Sequence, residues 1–230
     1  MNRVLVIGDI HEPASRRGYL EFCAEMREKW KCNRIVFIGD VVDSHAISRH
    51  PKHPESPGAL DEWEMTIERV SRWKKVFRHA FVCIGNHDER YIRLAMTVSI
   101  PYQYMKDYNQ IWRTEGWTWD YETIIDSVYY FHGINNGGDH PAYNAMRKML
   151  MSVVMGHNHT AAGIKWLTSP LDRVFGMDVG CGVDDKHLAF EYGRHMKRRS
   201  VLGCGVVING VPYHEIMPIG PGEKYHDGNR

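Results

Sequence analysis

The chain has 230 residues, 43% of them hydrophobic, and a formal net charge of +1, which suits one globular domain with a sizeable core and removes any general electrostatic pull towards nucleic acid or an anionic membrane, leaving only local basic clusters to provide one. Five cysteines without a C-x-x-C pair argue against a disulfide framework or a thiolate zinc site and for a reducing compartment. No apolar run reaches the ~20 residues of a membrane helix, so the expectation is a cytoplasmic protein with no membrane partner.

Residues 4–7 are a short β-branched and apolar run ending at Gly8, residues 15–31 read as a helix, and residues 35–38 are a second strand ending at Gly39. Residues 60–79 carry a stronger helix signal, because Leu60, Trp63, Ile67, Val70, Trp73 and Phe77 recur at three- and four-residue steps. Asp61, Glu62 and Glu64 open that helix and Lys74, Lys75 and Arg78 close it, the charge order that complements the helix dipole. A third strand, 80–84, runs into Gly85. Beyond it, residues 128–131, 153–155, 163–167, 174–179, 202–208 and 213–216 look extended, with one helix over 141–150. Alternation followed by mostly strands predicts an α/β fold of two packed sheets flanked by helices. No repeat or linker divides the chain, so residues 1–230 are expected to form one domain. The loop 44–58, with Pro51, Pro54, Pro57 and His45, His50 and His53, is expected at the substrate rim, as is the stretch 98–122.

Five clusters follow these strands: GDIH from Gly8, GDVVD from Gly39, GNHD from Gly85, FHG from Phe131 and GHNH from Gly156. A single Gly-Asp or Gly-Asn pair after a strand is ordinarily a turn, and a single His is ordinarily a packed or surface residue. Polar groups placed after several strands of one sheet, however, converge on one edge, and five clusters in one chain make convergence the better account. Asp9, Asp40, Asn86, His11, His132, His157 and His159 are oxygen and nitrogen donors suited to Mn, Fe, Ni or Zn. Seven such groups are too many for one tetrahedral ion and enough for two sharing a carboxylate, the arrangement that hydrolyses phosphate esters.

The ordered set resembles the five signature blocks of the calcineurin-like metallophosphoesterases, and the blocks span about two thirds of the chain, from Gly8 to His159. The resemblance implies a four-layer sandwich of two mixed β-sheets covered by helices, and two divalent metal ions, with Mn the leading choice. It implies that Asp9, His11 and His159 bind the first ion, that Asp40 bridges, and that Asn86, His132 and His157 bind the second. His87 corresponds to the family's catalytic imidazole, which protonates the leaving oxygen, and Asp43 to its orienting carboxylate; an imidazolium held by a carboxylate is a sensible general acid.

Relatives that act on phosphoproteins carry GDxVDRG and RGNHE, whereas this chain has Ser44 and Ile84 at the two arginine positions and Asp88 for the Glu. An arginine fork grips a phosphomonoester dianion, so its loss favours a phosphodiester substrate, a nucleotide or nucleic acid, over a small phosphomonoester or a phosphoprotein. The full donor set disfavours a noncatalytic scaffold. Candidate substrate contacts are His45, Asn135 with its neighbour Asn136, and Arg198 and Arg199 within the basic run that also holds Arg194, His195 and Lys197; a solvated face, a turn or an exposed loop is the plainer account of each. Trp112, Trp117, Trp119 and Tyr121 could stack bases or pack a core.

Overall fold

The computed structural model describes residues 1–187 and 198–219, so Arg194, His195 and Lys197 lie outside the described residues. Strand β1 (Arg3–Ile7) leads through helix α1 (Tyr19–Trp30) to β2 (Arg34–Phe37), and α2 (Ala59–Val76) leads to β3 (Ala80–Cys83). Helices α3 (Arg90–Thr97) and α4 (Tyr108–Trp112) precede β4 (Trp117–Asp120), β5 (Glu122–Ile125) and β6 (Val128–Phe131). The chain continues through α5 (Pro141–Met149), β7 (Ser152–Met155), β8 (Ala162–Thr168), β9 (Arg173–Val179), β10 (Gly203–Ile208) and β11 (Val211–Ile216).

The strands form two mixed sheets, one ordered β11-β10-β1-β2-β3-β4 and the other β5-β6-β7-β9-β8. β1 to β4 run parallel, with β10 antiparallel to β1; β6, β7 and β9 run parallel, with β5 and β8 antiparallel at the edges. Successive side chains on a strand point to opposite faces, and the burial of β1 follows that rule. Leu5 and Ile7 pack with Phe22 and Met26 of α1 and Val70 and Trp73 of α2, while Val4 and Val6 meet Tyr130, Phe175 and Met177 of the other sheet. On the far side, Val153 and Met155 of β7 meet Ala142, Ala145 and Met146 of α5. Helices, sheet, sheet and helix are therefore stacked in four layers, as expected. Both faces of the central strands are covered, which is why they read as unbroken apolar runs.

Helix α1 starts at Tyr19 rather than at residue 15, because Gly18 has φ +86° and cannot sit inside a right-handed helix. α3, α4, β4 and β5 are elements that the sequence did not announce. Trp117 belongs to β4 in the core, its ring 4.6 Å from Phe37 and its Nε1 donating to the Phe77 carbonyl at 2.7 Å. Trp112 is buried with it, and Trp119 stacks on Tyr108 at 4.8 Å. Packing is thus the account the structure supports for these tryptophans.

One buried carboxyl outside the five polar clusters carries a stability prediction. Asp178 on β9 accepts from the Ala142 backbone N–H at 3.2 Å, and burial pushes its pKa up to about 6 from 3.8. A raised carboxyl pKa means that the folded state holds this proton more tightly than the unfolded chain does, so stability is lost as pH rises from about 4 through about 6. Asp178→Asn, which keeps an acceptor without the charge, should unfold at higher denaturant than the parent at pH 7.5, by an amount on the order of 2–3 kcal/mol, and the advantage should shrink towards pH 4.5. Parallel behaviour of the two proteins across that range would remove Asp178 from the account.

Candidate metal centre

The polar clusters sit at the carboxyl ends of β1, β2, β3, β6 and β7, all strands of the two parallel runs, so their side chains meet at one edge of the sandwich. Asp9, His11, Asp40 and His132 are buried to 2% exposure or less. Three groups of donor atoms lie within 4.8 Å of one another: Asp9, His11 and His159; His11, Asp40 and His87; and Asp40, His132 and His157. Asn86 Oδ1 joins the third at 3.1 Å from His132 Nε2. All seven expected ligands are thus brought together.

The backbone is bent to achieve this. His11, Asp40 and His157 have φ of +48°, +48° and +67°, a region that side chains other than glycine's adopt only when the surroundings enforce it. The neighbouring glycines make room. A Cβ on Gly85 would lie 2.1 Å from Asp40 Oδ1, and one on Gly156 would lie 2.2 Å from Asp9 Oδ1. In these blocks Gly is required less for a turn than for the close approach of a carboxylate.

Proton positions show what the cluster is built to hold. His132 Nδ1 faces the Ile38 carbonyl at 2.9 Å and must carry the hydrogen, leaving the Nε2 lone pair towards Asp40 Oδ2 at 3.2 Å, Asn86 Oδ1 at 3.1 Å and His157 Nδ1 at 3.2 Å. His11 is fixed the same way by Asp43 Oδ1 at 2.9 Å, and its Nε2 then faces His159 Nε2 at 3.1 Å. Acceptors pointing at acceptors repel unless a cation or a proton lies between them, and Asp9 Oδ1 is buried with no hydrogen-bond partner among the described residues. Burial lowers the His132 pKa, but Asp40 and Asp9 outweigh it and raise it to about 10, so a proton takes the cation's place. His11 goes the other way, down to about 4, through burial and the nearby His87. The donor set, its tautomers and its orphaned oxygen fit a pair of divalent ions.

The sequence profile of the calcineurin-like phosphoesterases matches residues 2–180. The chain belongs to that family. Family and cluster together support a metal-dependent phosphoesterase. Solved structures of similar fold include a Vps29 single mutant from Entamoeba histolytica (12% identity, TM-score 0.43, covering 92% of this chain and 91% of that one). The phosphoesterase Yfce from E. coli (13%, 0.44, 91% and 90%) and the nuclease MPE of Pseudomonas putida (13%, 0.40, 92% and 86%) are similar at the same level. No curated protein matches the sequence.

In this phosphoesterase Asp43 Oδ1 is shared: it lies 2.7 Å from His87 Nδ1 as well as 2.9 Å from His11 Nδ1. Burial pushes the Asp43 carboxyl up, yet these two bonds outweigh it and leave it well below the usual range. Asp88, which replaces the Glu of the RGNHE motif noted above, is buried and staples two loops by accepting from the Val42 and Gly85 backbone N–H groups at 3.1 and 2.8 Å. Burial and the Asp40 charge push its pKa up to about 7.

Sequence reasoning missed Arg90. Its guanidinium donates to the Asp43 carbonyl at 2.5 Å and lies 3.1 Å from His87 Nε2. The signal was its place three residues after His87, but it needed the knowledge that a helix begins at Arg90. Ser44 and Ile84 are buried and bring no cation. His45 is buried rather than on an exposed loop, with Glu62 accepting from its backbone N–H at 2.6 Å and its Nε2 without a hydrogen-bond partner among the described residues. Burial lowers its pKa, while Asp43 and Arg90 act on it in opposite directions. Asn135 is exposed at φ +67°, as a turn requires. Arg198 is exposed and paired with Asp139 at 2.8 Å, and Arg199 is half-buried.

Proposed function

We propose that this protein is a phosphodiesterase acting on nucleotides or nucleic acid, with two divalent cations, Mn foremost, held by Asp9, His11, Asp40 and His159 and by Asp40, Asn86, His132 and His157. Bound there, the pair supplies Lewis-acid charge for the phosphoryl oxygens and a nucleophilic water at neutral pH. His87 is the general acid: Asp43 holds its Nδ1–H, which aims Nε2 at the leaving oxygen and favours the protonated ring. Arg90 donates towards that same Nε2 in the free protein. It must turn to the substrate phosphate for His87 to carry a proton on Nε2, so substrate anion and acid are engaged together. His45 Nε2 is a further donor for the phosphate. Five free cysteines, four of them buried, fit a reducing compartment such as the cytoplasm.

The observation that carries the diester reading is that Ser44 and Ile84 bring no cation and that Arg90 is the guanidinium found at His87, where a dianion would ask for more at the reacting phosphate. Arg90 also gives the alternative, a phosphomonoesterase, its best support, since one fork can bind a dianion bidentately. The purified protein with added Mn should hydrolyse bis(4-nitrophenyl) phosphate faster than 4-nitrophenyl phosphate, by about tenfold or more in kcat/KM; the reverse order would establish the monoester reading. Chelation followed by Mn should remove and restore the rate.

A further inference from the structure

A cleft of about 630 Å³ opens from the donor cluster between the segment after the 3-10 turn His45–Ile47 and helix α3, lined by Ile47, Arg49, Asn86, Arg90, Arg93 and Leu94. Asn86 and Arg90 belong to the site already described, so the cleft continues that site. Arg93 lies three residues beyond Arg90 on α3, on the same face of the helix, and Arg49 approaches from the opposite wall. Among the described residues neither Arg49 nor Arg93 meets a carboxylate at ion-pair distance. The acid in the lining, Glu89, is turned to the Tyr121 hydroxyl, which donates to it at 2.5 Å. Three guanidiniums against one carboxylate, two of them without an ion-pair partner among the described residues, make a local anion-binding surface that the formal net charge of +1 hides.

The cleft also has an apolar flank. Met96 lines it, and the Tyr102 hydroxyl rests on Met96 Sδ at 3.6 Å. The chain then shows Val98, Ile100, Tyr102 and Tyr104 to solvent, with Tyr104 82% exposed. Guanidiniums for phosphates beside exposed aromatic rings for bases are the pairing by which proteins hold a single nucleic-acid strand without reading its sequence. We propose that this cleft is the track for a single-stranded nucleic acid on its way from the metal centre. Arg90, Arg93 and Arg49 hold the phosphates next to the scissile one, and Tyr102 and Tyr104 stack the bases beyond. This rests on the diesterase reading and narrows its substrate.

The test is equilibrium binding of fluorescein-labelled dT6 by anisotropy, in EDTA so that nothing is cleaved, over a series of salt concentrations. The parent should bind at low salt. Arg49→Gln/Arg93→Gln should weaken binding tenfold or more and flatten the slope of log K against log salt by about 0.7 for each lost phosphate contact. Arg49→Lys/Arg93→Lys should recover most of the slope. Tyr102→Ala/Tyr104→Ala should weaken binding at least fivefold with the slope unchanged. No binding by the parent, or parental affinity and slope in the Gln variant, overturns the track. Arginine-dependent binding of ATP without binding of dT6 also overturns it, and assigns the cleft to nucleotide polyphosphates. The bis(4-nitrophenyl) phosphate assay separates the two levels: hydrolysis without arginine-dependent dT6 binding sinks the track alone, whereas no diester hydrolysis sinks the reading beneath it.

Discussion

Replacing His87 by alanine is expected to lower kcat on a diester by about 10²–10⁴-fold, the usual worth of a general acid, with metal content by elemental analysis unchanged. The second readout matters because His87 also lies within 4.8 Å of His11 and Asp40 donor atoms; loss of metal would make it a ligand and take it out of proton transfer. Its protonation gives a finer test. Burial disfavours the imidazolium, but Asp40 and the hydrogen bond to Asp43 outweigh burial and raise the His87 pKa. An acid acts while protonated, so kcat should fall on the alkaline side as His87 loses its proton. Asp43→Asn removes one of the raising influences and should move the alkaline limb to lower pH. A limb that stays in place would show that another group sets it.

Gly85→Ala should be as damaging, although it removes no chemical group. The added Cβ would stand 2.1 Å from Asp40 Oδ1 and 2.4 Å from the Asp40 backbone nitrogen. A backbone atom cannot swing aside as a flexible side chain does, so the loop carrying Asp40 must shift. Overpacking of this kind costs about 1–3 kcal/mol, a drop in Tm of roughly 2–4 °C per kcal/mol for a chain of this size. Displacing Asp40 should also weaken metal binding by about 10–100-fold. Gly137→Ala is the control, since nothing lies within 4 Å of a Cβ there, and its Tm and metal affinity should match the parent. A Gly85→Ala protein with full metal affinity would mean that Asp40 is not held where the structure has it.

The sequence disclosed those parts of the molecule that physical patterning repeats. β1 and β7 were legible because burial on both faces demands consecutive apolar residues, and α2 because its apolar positions return every three or four residues. The donors were legible because each follows such a strand directly. What stayed hidden depends on long-range packing. β4 is an edge strand whose WTWD carries too little periodicity to separate from a loop, and it becomes a strand by pairing Trp117 and Trp119 with Ala80 and Val82. The burial of His45 depends on Glu62, seventeen residues away, taking its backbone N–H. Arg90 mattered only once α3 had a starting point. The GDVVDSH and IGNHD departures suggested a site without guanidinium, and the structure supplies one from the next helix instead.

On the roles proposed above, the oxygen Asp43 offers to both His11 and His87 would tie two functions to a single atom. Any shift of that carboxylate would then alter the grip on the first ion and the proton donor's basicity in the same movement, so paired substitutions at His11 and His87 should show strongly non-additive effects. A lineage tuning this protein towards another leaving group could not adjust its acid at that position without retuning its metal as well.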